Sequence, residues 1–180
     1  LSVQVHPDDE YALIHEKEMG KTEVWYVMEA KEGAFIILGT NGCTKEEFNK
    51  SIEDKNVESY MNKIEVKKGD VYYLRSGLIH SMGPGLVIAE IQQNSDTTYR
   101  VYDYDRDREL HIQKALDVID FDAEGKRSNG LKIEMKEYDK TYYCLNKHFA
   151  LELYDVKKSF QETSDEERFF IFTCVEGSGL

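Results

Sequence analysis

The first 26 residues, LSVQVHPDDEYALIHEKEMGKTEVWY, constrain this chain more than any other stretch. Side chains of an extended strand alternate between two faces. In VQVHP, Gln4 and His6 therefore point one way, and Val3 and Val5 the other. The same parity in GKTEVWY puts Lys21, Glu23 and Trp25 on one side of a second predicted strand, with Thr22, Val24 and Tyr26 opposite. If the two strands are neighbours, an amide, an imidazole, an amine and a carboxylate converge. Imidazole, carboxylate and a neutral oxygen make a mixed donor set suited to Zn(II), Fe(II), Mn(II) or Ni(II). The set needs at least one more nitrogen.

Twelve tyrosines, eight phenylalanines and only two prolines favour strands, so a mainly β domain is expected. A chain of 180 residues can bury a sizeable core as one domain or one and a part. It opens inside a strand-like run at Leu1 and stops at VEGSGL just after the apolar run Phe169 to Val175, which suggests a piece of a longer protein. A net charge of −12 argues against nucleic acid or an anionic membrane surface as partner. A small anionic substrate remains compatible if a few cations are focused in a pocket. Cys43, Cys144 and Cys174 are odd in number and widely spaced, which points to free thiols in a reducing, cytoplasmic compartment. No apolar run approaches the ~20 residues of a membrane span.

Along the chain, Pro7 to Gly20 reads as a loop or short helix, in which His15 is solvated among acidic neighbours. AFIILG is a buried strand closed by Asn41-Gly42. Thr44 stands three residues before Glu47 as a capping box, and Phe48, Ile52, Val57, Tyr60, Met61 and Ile64 follow at mainly helical spacings. A helical insertion over about 44–63 is predicted, broken near Asp54 to Asn56. VYYLRSGLIHSMGPGLVIAEIQQ reads as two strands around a Gly-rich bend, with His80 at the bend. Arg100, Tyr102 and Tyr104 share a face if YRVYDYDR is extended, and Leu110 to Ile119 carries the spacing of a short helix. KIEMKEY, FALELYDV and FFIFTCV look like three further strands, and a weak echo between WYVMEAKEG and FIFTCVEGSG hints at a duplicated β-unit. Trp25, Tyr26 and the set Tyr99, Tyr102 and Tyr104 read as barrel packing rather than a sugar-stacking platform, and His111 and His148 as surface or helix-end residues.

These residues carry a recognisable pattern. GDVYYLRSGLIH resembles the second cupin motif, and the opening segment a degenerate first one. More narrowly, SVQVHPDDEYA, GKTEVWYVMEA, SGLIHSM and especially IQQNSDTTYRVYDYDR are similar to the type I mannose-6-phosphate isomerases in their short bacterial form. The resemblance implies a cupin, or jelly-roll β-barrel, over 1–109 with the helical insertion inside it, a linking helix at 110–122, and the start of a second, non-catalytic cupin module over 130–180. It implies one Zn(II) per chain held by Gln4, His6, Glu23 and His80, the last supplying the missing nitrogen. It also places the active-site arginine at Arg100 and a substrate-handling or proton-transferring lysine at Lys21.

The implied reaction interconverts mannose 6-phosphate and fructose 6-phosphate through a cis-enediol, on a small sugar phosphate as partner. Lys21 serves as the base if burial and the metal's field depress its pKa, and a water on the metal is an equal candidate. Two other classes stand beside this reading. Two histidines and a carboxylate also make the triad of a non-haem iron cupin oxygenase, although such cupins usually carry His where Gln4 stands. A non-catalytic sugar-binding cupin is expected to have lost Arg100 or a ligand, and this chain keeps them all.

Overall fold

Alternating burial in the N-terminal strands drives them into two facing antiparallel sheets. The computed structural model describes residues 2–179. Strands β1 (Val3–Val5), β3 (Phe35–Thr40), β4 (Met61–Glu65), β6 (His80–Met82) and β8 (Tyr99–Tyr102) form one sheet in the order β4-β3-β6-β1-β8. Strands β2 (Glu23–Ala30), β5 (Val71–Leu74) and β7 (Leu86–Gln92) form a second, in the order β5-β2-β7. Trp25, Val27, Tyr72 and Leu74 of the second sheet meet Ile36 and Leu38 of the first and Leu78 of the bend before β6, so the two faces share one apolar interior. Burying such side chains supplies most of the favourable free energy of the fold.

The opposite face of the five-stranded sheet is covered by helices. Val3, Val5, Ile37, Ile79 and Val101 pack there against Phe48 of α2 (Lys45–Glu53) and Ala115 and Leu116 of α3 (Ile112–Val118). Helix α2 starts as its sequence dictates: the Thr44 hydroxyl accepts from the Glu47 N–H, and the Glu47 carboxylate accepts from the Thr44 N–H. Helix α1 (Asp9–His15) is capped by Asp8, which accepts from the Tyr11 N–H. A third sheet, β11-β10-β9, is built from β9 (Leu131–Glu134), β10 (Tyr138–Leu145) and β11 (Ala150–Val156). It lies against the outer face of the second sheet, where Cys144, Tyr143 and Leu151 meet Val24, Val71 and Ile91. Among the described residues, no helix is long and apolar enough to cross a membrane.

Several sequence expectations are corrected. The helical insertion ends earlier: α2 and a 3-10 turn at Val57–Tyr60 are followed by strand β4, so Met61 and Ile64 belong to a sheet. Their spacing of three suits a helix, whereas in β4 it sends Met61 and Ile64 to opposite faces of the sheet, and pairing of Ile64 with Ile36 on β3 fixes the strand. The run from Val71 to Gln92 makes three strands, and His80 opens β6. Strand β8 stops at Tyr102, and Tyr104 has a positive φ of 52, so it leaves the face of Arg100. KIEMKEY is broken by a turn in which the Met135 N–H donates to the Tyr138 carbonyl. FFIFTCV forms no strand, Phe169 and Ile171 are exposed, and the suggested duplication has no structural counterpart there.

The insertion is nevertheless part of the core, since Phe48 is fully buried against Phe121. Phe48→Ala is expected to destabilise the protein by about 3–5 kcal/mol in chemical denaturation. A loss below about 1 kcal/mol would show that α2 is an appendage.

Candidate metal centre

β1 and β2, which the sequence suggested as neighbours, do not pair. β1 pairs with β6 and β8, while β2 pairs with β5 and β7 in the facing sheet. His6 and Glu23 therefore meet across the interior: His6 Nε2 lies 3.0 Å from Glu23 Oε1. His80 is the nitrogen supplied from elsewhere. Its Cα is the cross-strand partner of Gln4, and its Nε2 lies 3.7 Å from Glu23 Oε2 and 3.4 Å from Gln4 Nε2. The bend before β6 is tied to the end of β1, because the Gly77 N–H donates to the His6 carbonyl at 2.9 Å. Gly77 adopts φ +82, a left-handed conformation that favours glycine.

The two histidines are set for ligation. The Nδ1–H of His6 donates to the Thr97 carbonyl and that of His80 to the Leu78 carbonyl, both at 2.8 Å. A ring nitrogen that donates to a backbone carbonyl leaves the other nitrogen's lone pair free for a metal. Both Nε2 atoms then face Glu23. His6 Nε2 and both Glu23 carboxylate oxygens are buried without a hydrogen bond of proper geometry. Lone pairs aimed at one another in a buried space are what a cation would satisfy. One donor atom each from His6, Glu23 and His80 lie within 4.8 Å of one another. Ligands about 2.0–2.2 Å from a common ion are separated by roughly 3–4 Å, and the 3.0 and 3.7 Å separations of His6 and His80 from Glu23 fall in that range.

Electrostatics agree with this arrangement. Burial alone would raise the Glu23 carboxyl, but His6, His80 and Lys21 outweigh it and hold it well below the usual carboxylate range. Burial pushes the His80 imidazole down to about 4, against the pull of Glu23, which keeps it neutral and able to ligate near neutral pH. Lys21 Nζ lies 2.9 Å from Glu23 Oε1 and is itself buried. Gly20 lets the chain deliver it: a Cβ there would sit 2.3 Å from the Asp8 carbonyl carbon.

Gln4 and Arg100 occupy adjacent cross-strand positions. The Arg100 Nε donates to Ser2 Oγ at 3.2 Å, and Ser2 Oγ donates to Gln4 Oε1 at 3.0 Å. A second guanidinium nitrogen donates to the Glu109 carbonyl. Arg100 is thus not a partner of the acidic run that follows it, since Asp103 is taken by Arg106 and Arg108. His111, read as a helix-end residue, also accepts from the Arg100 backbone N–H at 3.3 Å. Glu90 escaped the sequence reading. It accepts from Trp25 Nε1 at 3.0 Å and has a carboxylate oxygen 3.9 Å from Lys21, and burial and the nearby Glu23 charge push its carboxyl upward. Its cross-strand register with Trp25 brings it there, which the sequence does not reveal.

Two facing antiparallel sheets around a buried His-Glu-His cluster that could hold a metal ion define a cupin-type β-barrel. No protein-family model matches the chain. The mannose-6-phosphate isomerase ManA of Bacillus subtilis is 39% identical over 186 residues, spanning 99% of this chain and 59% of that protein. A mannose-6-phosphate isomerase of Streptococcus mutans is 52% identical over 125 residues, spanning 66% of this chain and 40% of that protein. The crystal structure of a mannose 6-phosphate isomerase from Bacillus subtilis superposes with a TM-score of 0.81 at 38% identity, covering 86% of this chain and 52% of that one. The chain belongs to the mannose-6-phosphate isomerase family. It spans about 40–59% of the length of these curated relatives.

If the cluster is a metal centre, the protein should retain one equivalent of divalent metal through gel filtration, and added metal should raise its melting temperature. Glu23→Gln and His80→Ala should each abolish both effects. Retention of the ion by either variant would place the metal elsewhere.

Proposed function

We propose that this chain carries the metal centre of an aldose-ketose isomerase that interconverts mannose 6-phosphate and fructose 6-phosphate through a cis-enediol. One Zn(II) would be held by Gln4, His6, Glu23 and His80. The reading is carried by one observation: a buried His-Glu-His cluster with Lys21 against Glu23 and Arg100 linked through Ser2 to Gln4, in a chain 39% identical to a mannose-6-phosphate isomerase over nearly its whole length. Those relatives favour isomerisation over iron-dependent oxygenation or sugar binding without catalysis. Free thiols at Cys43, Cys144 and Cys174 agree with a reducing cytoplasm.

The reaction moves a proton between C1 and C2 of the sugar, and carbons beside a carbonyl are very weak acids. Zn(II), when bound, supplies Lewis acidity worth several kcal/mol to developing oxyanion charge. Arg100 remains charged at any working pH and can address two oxygens at once, so it would orient the substrate or stabilise the enediolate. Its anchors on Ser2 and the Glu109 carbonyl hold the guanidinium beside Gln4. Lys21 would handle the substrate oxygens or the transferred proton, with the Glu90 carboxylate 3.9 Å away. Trp25, packed edge-on to His80, keeps water from that side of the cluster.

Full-length protein assayed with mannose 6-phosphate in a coupled system should turn over, and Arg100→Ala should lower kcat by roughly 10²–10³ while zinc content stays at one per chain. Undiminished turnover would remove Arg100 from the mechanism. A zinc-loaded wild-type protein that does not isomerise the substrate would overturn the functional reading.

A further inference from the structure

The turn joining β7 to β8 contributes none of the proposed ligands, yet it is bonded to two of the three segments that do. The Gln93 N–H donates to the Thr22 carbonyl at 3.1 Å, next to Glu23. The Gln93 amide donates to Asp9 Oδ1 at 3.0 Å, and the same oxygen accepts from the Gly20 N–H at 3.1 Å. Ser95 then makes two further bonds. Its hydroxyl donates to the Met19 carbonyl at 2.8 Å and accepts from the Thr97 N–H at 3.2 Å. Thr97 is the residue whose carbonyl takes the His6 Nδ1–H.

A serine hydroxyl has one proton to give and two lone pairs to receive with. Here the proton is committed to the loop that leads into Lys21 and Glu23, and a lone pair to the residue that orients His6. Ser95 is 5% exposed, so water cannot readily replace its hydroxyl. Ser95 therefore links the approach to β2 with the end of β1, two strands in different sheets that share no backbone ladder. Metal-bound imidazoles depend on the acceptor of their second nitrogen, because it fixes tautomer and ring orientation.

We infer that Ser95 is a positioning residue for the metal centre: through the Thr97 carbonyl it holds His6 in the Nδ1–H form, with Nε2 aimed at Glu23. The inference rests on the metal-centre reading. Ser95→Ala removes the link and leaves every proposed ligand in place. A serine that only stabilised the turn would lower thermal stability without changing the imidazole or the metal.

The test is made on the full-length protein. Zinc affinity is measured by competition with a chromophoric chelator, and the His6 tautomer by long-range ¹H–¹⁵N NMR of the zinc-free protein. Ser95→Ala is expected to weaken zinc binding by about 10–100-fold, and to turn a single Nδ1–H tautomer of His6 into a mixture. An unchanged tautomer and an unchanged zinc affinity in Ser95→Ala would overturn the inference alone, whatever happens to the melting temperature. A wild-type protein that takes up no zinc would overturn the metal-centre reading and this inference with it.

Discussion

Burial of one carboxylate governs this fold. Glu23 is 1% exposed in the interior between two sheets. An ion placed there without compensation costs several kcal/mol even after relaxation, a large part of a domain's net stability of about 5–15 kcal/mol. Lys21, at 2.9 Å, offsets part of that cost, and a cation shared with His6, at 3.0 Å, and His80, at 3.7 Å, would offset the rest. None of them reaches Glu23 by chance of sequence proximity alone. Lys21 needs the close approach of Gly20 to the Asp8–Asp9 backbone, His6 needs the Thr97 carbonyl, and His80 needs the Gly77 turn. The polar turns of the barrel are therefore part of the same electrostatic unit as the donors.

The apolar layers keep this unit dry and in register. The interior residues of β2, β3 and β5 shut one side of the cluster, and Trp25 lies edge-on against His80 with its centroid 5.4 Å away. On the far face of the five-stranded sheet, helices α2 and α3 cover Val3, Val5 and Ile79, the residues that alternate with Gln4, His6 and His80. Each strand thus presents donors to one side and packing to the other, and a slip of one residue would exchange them. The third sheet braces β2 and β5 from outside through Val24 and Val71. It has polar anchors of its own, with Lys140 buried between Glu152 and Glu162.

Strand parity made much of the candidate centre legible in the sequence. Gln4 with His6, and Lys21 with Glu23 and Trp25, fall on shared faces as period two requires, and the motif resemblance supplied His80. What parity cannot tell is which strands pair. β1 and β2 are not neighbours, and the donors converge because the sheets face each other. Glu90 was invisible for the same reason, since only its register opposite Trp25 brings it to Lys21. The missed boundary at Met61 has a different cause. Val57, Tyr60, Met61 and Ile64 suit a helix locally, and pairing with β3 overrides that preference. Strand β10 was hidden because its buried positions include Asp139 and Lys140, which ion pairs rather than apolar burial satisfy.

X-ray absorption at the zinc edge of the loaded full-length protein tests the central claim most directly, because it reads the atoms around the ion. Four donors from Gln4, His6, Glu23 and His80 predict two imidazole nitrogens and at least two oxygens at about 2.0–2.2 Å. A sulfur shell near 2.3 Å, or a shell of oxygens with no imidazole scattering, would contradict it.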